Sequence, residues 1–377
     1  MGQELNIYAS SGISDDHECV DAEEMIARLQ LGMRVLIREG STERNADALL
    51  RAVIEKNLPL DGLCFCTDDK HPTEIRAEGH INYIVRRAIA LGMAPIDAIR
   101  IATINAARHI RMDDEIGSIT PGRCADILIM DDLEKMEPDM VLYEGNLVAR
   151  DGALLKRCEV RHYPAWILDT VHLKRAITSE SFALPTVHPG ETTQVTVIEL
   201  IDRQIITKRI MASVPVRDGQ LSTDIPNDIL KLAVVERYGK NGNVGVGFVK
   251  GFQLKNGALA FSTSHDHHNI VVVGTNDKDM AAAVNEVARL HGGLAATKDG
   301  NVIDSMSLPI GGLMSDRCAE DVMCELDRIN RAVAGLGCTL PAPFMALSFI
   351  SLPTVPELGL TDMGLVDVLQ HKLISLS

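Results

Sequence analysis

The pair Asp68-Asp69 is the strongest candidate for chemistry in this sequence, because it directly follows the apolar run of residues 62–67. If that run is a strand of a β/α barrel, its carboxyl end is where barrel enzymes place their catalytic groups. One carboxylate could then ligate a divalent metal and the other could contact a substrate. The same pair could equally form a turn or helix cap before Pro72, which is a common use of aspartate. The residues alone leave both interpretations open.

A second candidate is His17, which lies in the acidic segment of residues 14–18 at the end of a short predicted strand. Asp16 and Glu18 flank it and could orient its imidazole toward a metal. A single histidine more often has a structural role. The spacing by itself does not decide between a ligand and a structural residue.

A third candidate is the group of His265, His267 and His268, which surrounds Asp266 and precedes the apolar run of residues 270–273. Imidazole and carboxylate groups are ligands that transition metals accept. In an extended chain His265 and His267 would project to the same side. A polar turn that enters a strand is the alternative interpretation.

Two further patterns favour a structural role. Cys64 and Cys66 face one side of a predicted buried strand, and a structural zinc site would need two more ligands that the local spacing does not supply. The glycine-rich residues 239–247 could suggest phosphate binding. They lack the Gly-Lys-Ser/Thr ending of a phosphate loop, so we interpret them as tight turns.

The elements that must position these residues follow from hydrophobic patterning. Between residues 13 and 110, short apolar runs alternate with amphipathic stretches, a rhythm typical of parallel strands crossed over by helices. Residues 33–40 and 62–67 predict strands, and residues 46–57 and 81–91 predict helices. A sheet of so few parallel strands is too small to be stable alone, so we expect something to complete it.

The rest of the chain predicts two different kinds of structure. Residues 115–152 carry short strands separated by turn residues, which indicates a small β-layer. A polar stretch of residues 153–192 then leads to a further α/β segment. In that segment strands are predicted at residues 194–200 and 270–273, and helices at residues 278–291 and 316–336.

Composition limits the classes of partner. The net charge of −15 and the pI near 5.2 argue against a nucleic-acid or anionic-membrane surface and favour small-molecule partners. The eight cysteines form no CxxC pair, which fits a reducing cytoplasm. We find neither a signal-peptide pattern nor an apolar run of the roughly 20 residues that a membrane helix needs. The sequence therefore predicts a soluble, cytoplasmic protein.

Short segments along nearly the entire chain together resemble one enzyme family. Those in the first part lie at residues 11–18, 37–41, 67–72, 102–107 and 117–126. Those in the later part lie at residues 231–238, 245–251, 265–269, 272–277 and 308–316. The earlier segments are similar to amidohydrolases in general, and the later ones resemble the C-terminal domain of bacterial adenine deaminases. The chain therefore resembles the C-terminal portion of that family.

The resemblance implies an α/β fold in three parts. Residues 1–114 would form the C-terminal part of an amidohydrolase (β/α)8 barrel, and residues 115–160 would form β-sandwich strands. Residues 161–377 would form the adenine deaminase-type C-terminal domain, itself α/β.

The resemblance also implies a reaction, namely the hydrolysis of adenine to hypoxanthine and ammonia in purine salvage, with one or two divalent metals, manganese or iron. His17 matches the metal-binding histidine of the sixth barrel strand. Asp68 matches the aspartate of the eighth strand, which contacts metal and shuttles a proton. Asp69 and Glu39 are expected to contact the purine.

The sequence departs from the family pattern before His17. The other metal ligands of the family would precede it, and residues 1–16 contain no histidine. We therefore expect this chain to be inactive alone and to act as a homo-oligomer or in association with a missing N-terminal half. A related cyclic amidohydrolase, and a non-catalytic truncated partner of a full-length subunit, are the alternative hypotheses.

Overall fold

The computed structural model describes residues 2–41, 43–155, 162–186, 190–201, 206–355 and 357–376. The chain divides into two compact units, Met1–Arg161 and His162–Ser377. The division into three domains stays a prediction, and its boundary between residues 160 and 161 lies outside the described residues. No helix among the described residues is long and apolar enough to cross a membrane.

The first unit begins with alternating helices and strands and ends with strands alone. Its helices are α1 (Gly2–Ser10), α2 (Ala22–Gln30), α3 (Ala46–Glu55), α4 (Pro72–Glu78), α5 (Ile81–Ala90), α6 (Pro95–Ala102) and α7 (Ile104–His109). Its strands are β1 (Asp15–Asp16), β2 (Arg34–Arg38), β3 (Leu63–Cys66), β4 (Ile127–Ile129), β5 (Met140–Tyr143), β6 (Asn146–Arg150) and β7 (Ala153–Leu154).

Strands β1, β2 and β3 form a parallel sheet in that order, as the alternating pattern predicted. The register places Arg38 of β2 beside Cys66 of β3. Val35 and Ile37 of β2 belong to the buried core of the unit, together with Leu49 and Leu50 of α3. Because side chains alternate along a strand, Arg38 projects to the opposite face from Ile37.

The other four strands form the predicted small β-layer. β4, β5, β6 and β7 are antiparallel and follow one another in chain order. The layer begins at Ile127, later than the start of the predicted segment at residue 115.

The second unit is built around a large sheet. Its strands are β8 (Thr192–Leu200), β9 (Thr207–Arg217), β10 (Gln220–Leu221), β11 (Ile229–Val235), β12 (Val244–Lys250), β13 (Ala258–Phe261), β14 (Ile270–Gly274), β15 (Gly293–Lys298), β16 (Asn301–Ser307), β17 (Leu358–Thr361), β18 (Gly364–Asp367) and β19 (Lys372–Ile374). Its helices are α8 (Asp277–Arg289), α9 (Ala319–Gly335) and α10 (Pro343–Phe349).

Nine strands pair in the order β10-β9-β8-β12-β11-β14-β13-β15-β16, and β17, β18 and β19 form a separate sheet. Within the large sheet β8 and β12 are parallel, and the other described pairs are antiparallel. All seven residues of β11 are buried. One face of the sheet packs against α9 and α10 and the other against α8, which explains why this strand is apolar along nearly its whole length.

Candidate metal centre

The three parallel strands bring the sequence-predicted residues to one edge of their sheet. His17 and Glu18 follow the end of β1, Arg38 is the last residue of β2, and Asp68 comes two residues after β3. Because the carboxyl ends of parallel strands meet at one edge, residues far apart in the sequence become neighbours there. The predicted pair His17 and Asp68 is thus brought together.

The four side chains form a closed ring. Arg38 Nη1 donates to Glu18 Oε2 at 2.6 Å and to Asp68 Oδ2 at 3.0 Å. His17 Nε2 lies 3.3 Å from Glu18 Oε1 and 4.0 Å from Asp68 Oδ2. Every member of the ring therefore faces two others.

Burial and charge differ around this ring. The Arg38 side chain is 2% exposed, whereas that of His17 is 49% exposed and that of Asp68 is 27% exposed. A hydrogen bond to Glu18 is the main cause that raises the pKa of His17, against an opposing effect of burial. Burial by itself would raise the pKa of Glu18, but His17 and Arg38 outweigh it, and the pKa of Glu18 is lowered. The ring is thus a polar cluster with a buried cation beneath it and an open side toward solvent.

The loop after β3 holds Asp68 in an uncommon backbone conformation. Asp68 has a φ of 54°, in the left-handed region that aspartate tolerates better than most residues. Its Oδ1 accepts a hydrogen bond from the backbone N–H of Asp69 at 3.0 Å. Gly40 lies against this loop, where a Cβ would come within 2.9 Å of the Asp69 carbonyl oxygen and 3.0 Å of that of Thr67. The close approach therefore requires a glycine at position 40.

A buried ion-pair network anchors the same loop. The Lys70 side chain is 1% exposed, and its Nζ lies 3.1 Å from Glu78 Oε2 and 4.7 Å from the centre of the Tyr83 ring. Arg44 Nη1 donates to the other oxygen of Glu78 at 2.9 Å. These contacts tie the residues after Asp69 to helices α4 and α5.

Glu39 and Asp69 were both predicted to contact the purine, and neither role is tested by this geometry. Glu39 is 6% exposed, and its Oε2 accepts the backbone N–H of Ala46 at 3.3 Å, at the start of α3. Burial raises the pKa of Glu39. The backbone carbonyl of Asp69 accepts from the N–H of Ser41 at 2.9 Å. Their contacts with a substrate stay predictions.

The ring contains the donor atoms of a metal site. Among the described residues, His17, Glu18 and Asp68 are the group of three potential ligands whose donor atoms all lie within 4.8 Å of one another. Zinc-like ions bind imidazole nitrogens and carboxylate oxygens at about 2.0–2.2 Å, so two donors on one ion lie at most about 4.4 Å apart. The distances of 3.3 Å and 4.0 Å from His17 Nε2 satisfy that limit. One imidazole and two carboxylates therefore fit a single divalent ion.

The sequence did not single out Glu18 as a ligand or Arg38 as part of the site. Glu18 was considered only as a flanking acid of His17. The signal that was available for Arg38 is a charged residue at the end of an apolar strand, on the same face as Cys66. Its partners at positions 18 and 68 could not be read from that signal.

The histidine group of the second unit differs from one expectation. Residues 265–267 form a turn, so the expectation that His265 and His267 project to one side of an extended chain is wrong. His267 Nδ1 accepts the backbone N–H of Asn269 at 3.1 Å, and the His265 ring stacks on Phe349 with centroids 4.6 Å apart. The interpretation as a polar turn that enters β14 is confirmed.

The two patterns that favoured structure are confirmed as well. The Cys64 thiol is 2% exposed, and burial raises the pKa of Cys64 to about 11 and that of Cys66 to about 12, so both remain neutral core thiols. The glycine-rich residues from 239 form a turn between β11 and β12.

Comparison with known families assigns a family model to each unit. Residues 4–148 match the amidohydrolase family, and residues 204–372 match the adenine deaminase C-terminal domain. The first match falls in the first compact unit and the second match in the second unit. The α/β fold with a barrel-type amidohydrolase portion is therefore established.

Curated relatives cover nearly the whole chain. An adenine deaminase of Desulforamulus reducens is 55% identical over 98% of this chain and 63% of its own length. One from Dehalococcoides mccartyi is 43% identical over 99% of this chain and 64% of its own length, and one from Methanococcoides burtonii is 41% identical over 99% and 62%. The chain thus spans slightly less than two thirds of these relatives.

Proposed function

The chain belongs to the adenine deaminase family of amidohydrolases, of which it carries the C-terminal portion, and from that premise we propose that it takes part in the hydrolysis of adenine to hypoxanthine and ammonia. The observation that supports this proposal is the ring at the strand ends, where His17, Glu18 and Asp68 offer three donors to one ion. Manganese or iron is the proposed ion, and cytoplasmic purine salvage is the proposed setting.

His17 and Asp68 would hold the ion in this proposal, with Glu18 as a third ligand. A divalent metal supplies a water of lowered pKa, from about 15.7 toward about 7, and thereby hydroxide at neutral pH. The Asp68 carboxylate accepts the proton of the attacking water and returns it to the exocyclic nitrogen of adenine, which leaves as ammonia. Asp69 and Glu39 would orient the purine ring so that its C6 faces the water.

The proposed activity depends on further barrel strands. The barrel-type sheet has three strands in the described part of the chain, and barrels of this type close with eight. We propose that the remaining strands come from an associated polypeptide, so that the chain alone binds the ion weakly and releases no ammonia from adenine.

The test is reconstitution. The chain is co-expressed with the segment of the Desulforamulus reducens relative that it does not cover, supplied with manganese or iron, and assayed for ammonia from adenine. Ammonia is expected from the reconstituted sample and not from the chain alone. Asp68→Asn is expected to lower kcat by about 10²- to 10⁴-fold, the usual contribution of a general acid or base.

Asp61→Asn is the matched control, because Asp61 precedes the opposite end of the same strand and is 74% exposed. Its kcat should equal that of the wild type. A reconstituted, folded enzyme that hydrolyses adenine equally well with Asp68→Asn would contradict the assignment of the site. Absence of ammonia from every reconstituted sample would contradict the proposed reaction.

A further inference from the structure

Arg38 is a buried cation in the middle of the three-stranded sheet. Its side chain is 2% exposed, although it ends β2 at the edge where the ring opens to solvent. Burying a guanidinium is costly unless carboxylates and other acceptors satisfy it. The acceptors that Arg38 uses therefore indicate what it is placed to hold.

One nitrogen of Arg38 joins the residues that follow its two neighbouring strands. Nη1 donates to Glu18 Oε2 after β1 and to Asp68 Oδ2 after β3. Nη2 lies 3.5 Å from Asn45 Oδ1, next to the start of α3, which fixes the plane of the guanidinium. Two acidic side chains that would otherwise repel each other are thus held by one donor.

Both carboxylates reach His17 while Arg38 holds them. Glu18 divides its two oxygens, with Oε2 on Arg38 and Oε1 on His17. Asp68 Oδ2 contacts Arg38 and is also its oxygen 4.0 Å from His17 Nε2. Since a carboxylate oxygen has two lone pairs, Oδ2 can accept from Arg38 and still bind an ion.

We propose that Arg38 is a positioning residue of the metal centre, which holds the Glu18 and Asp68 carboxylates against His17 in the arrangement that binds the ion. The inference rests on the proposed function, because it assigns a role within that centre. Hydrogen-bonded partners of metal ligands typically change metal affinity by about 10- to 100-fold when they are removed. A loss of that size is expected here.

The test replaces Arg38 by methionine in the full chain, which keeps an apolar stem of similar length and removes every donor. Two quantities are measured. The Mn²⁺ dissociation constant is taken from the spin-resonance signal of the free ion, and the imidazole nitrogen shifts of His17 are recorded without metal at one fixed pH. Arg38→Met is expected to bind Mn²⁺ about 10- to 100-fold more weakly and to shift the His17 signals.

Arg87→Met is the matched control, since Arg87 is also an arginine of the first unit and donates to Asp47 Oδ1 at 3.0 Å on α3. It should match the wild type in both measurements. A folded Arg38→Met protein with unchanged His17 signals and unchanged Mn²⁺ affinity would overturn the proposal. Tighter Mn²⁺ binding would overturn it too, because Arg38 would then compete with the ion.

Arg38→Lys keeps the proposal testable if the methionine variant does not fold. An ammonium retains the charge but lacks the planar fork that reaches Asn45 and the carboxylates together. We expect an intermediate loss of Mn²⁺ affinity and shifted His17 signals, and wild-type values in both would overturn the proposal. If the wild-type chain itself binds no Mn²⁺, the proposed metal function fails separately, and the His17 signals of the metal-free variants still decide whether Arg38 positions the ring.

Discussion

Glu236 shows how one carboxylate can occupy a turn that resembles a ligand-binding loop. Its side chain is buried between β11 and β12 and accepts the backbone N–H groups of Tyr238, Lys240, Asn241 and Gly242 at 2.6–3.3 Å. Successive backbone donors of this kind commonly bind anions. In this turn the protein's own anion satisfies them, which gives a physical reason for interpreting the glycine-rich segment as structural.

Glu236→Gln is expected to destabilise the second unit by about 2 kcal/mol, because an amide oxygen replaces a charged acceptor of four donors. The free energy of unfolding is measured by urea denaturation at pH 7. Glu180→Gln is a suitable control, since it replaces another glutamate of this unit whose surroundings are more open. Equal stability of Glu236→Gln and the wild type would show that the turn does not depend on the charge.

The same residue predicts a pH dependence. Burial alone would raise the pKa of Glu236, but the four backbone donors outweigh it, and the pKa is lowered. The carboxylate therefore contributes stability that is present above the ordinary glutamate pKa, about 4.3, and is lost as the pH falls through the lower folded value. The difference in unfolding free energy between the wild type and Glu236→Gln should thus be largest near pH 7 and shrink in acid. A difference that grows in acid would contradict the sign.

At the scale of elements, close strand packing depends on positions without a side chain. Gly245 lies in β12, where a Cβ would come within 1.9 Å of the backbone carbonyl oxygen of Thr361 in β17. A backbone atom cannot move aside as a flexible side chain can. The separate sheet of β17, β18 and β19 can therefore pack against β12 only because position 245 is a glycine.

Gly245→Ala is expected to destabilise the second unit by about 2–3 kcal/mol, the usual size of an overpacked contact that moves backbone. Gly335→Ala is the matched control, because Gly335 ends α9 and no atom lies within 4 Å of its added Cβ. That variant should be as stable as the wild type or gain up to about 1 kcal/mol, since alanine favours a helix. Thermal unfolding measures both, and equal effects of the two substitutions would refute the packing argument.

For the whole molecule, each unit has its own hydrophobic core. The buried cluster of the first unit draws on residues between Cys19 and Met136, and the three clusters of the second unit draw on residues between Val171 and Leu376. A domain with its own core can in principle fold alone. The described sheets likewise lie within one unit each.

We therefore expect residues 162–377, expressed alone, to fold with a single cooperative thermal transition. The measurement is calorimetry together with binding of a hydrophobic dye, and the full chain serves as the reference. A fragment that binds the dye strongly and shows no cooperative transition would contradict the independence of this core. The result would also show which transition of the full chain belongs to the second unit.

The sequence by itself determined the local elements and the residues at their ends. The pattern of residues 46–57 predicted a helix that the structure has as α3, Ala46–Glu55, and residues 62–67 predicted β3 with Asp68 just beyond it. These features follow from the spacing of apolar residues over one or two turns or a few strand positions, which near neighbours control. The family resemblance was readable for the same reason, because its segments are short and contiguous.

Only the tertiary structure decided which residues meet. His17, Arg38 and Asp68 are 21 and 30 positions apart, and the parallel register of β1, β2 and β3 brings them into one ring. The strand order of the nine-stranded sheet and the filling of the turn by Glu236 were equally out of reach of local patterns. Pairings over such separations depend on the packing of all elements at once, so no single segment carries the information that selects them.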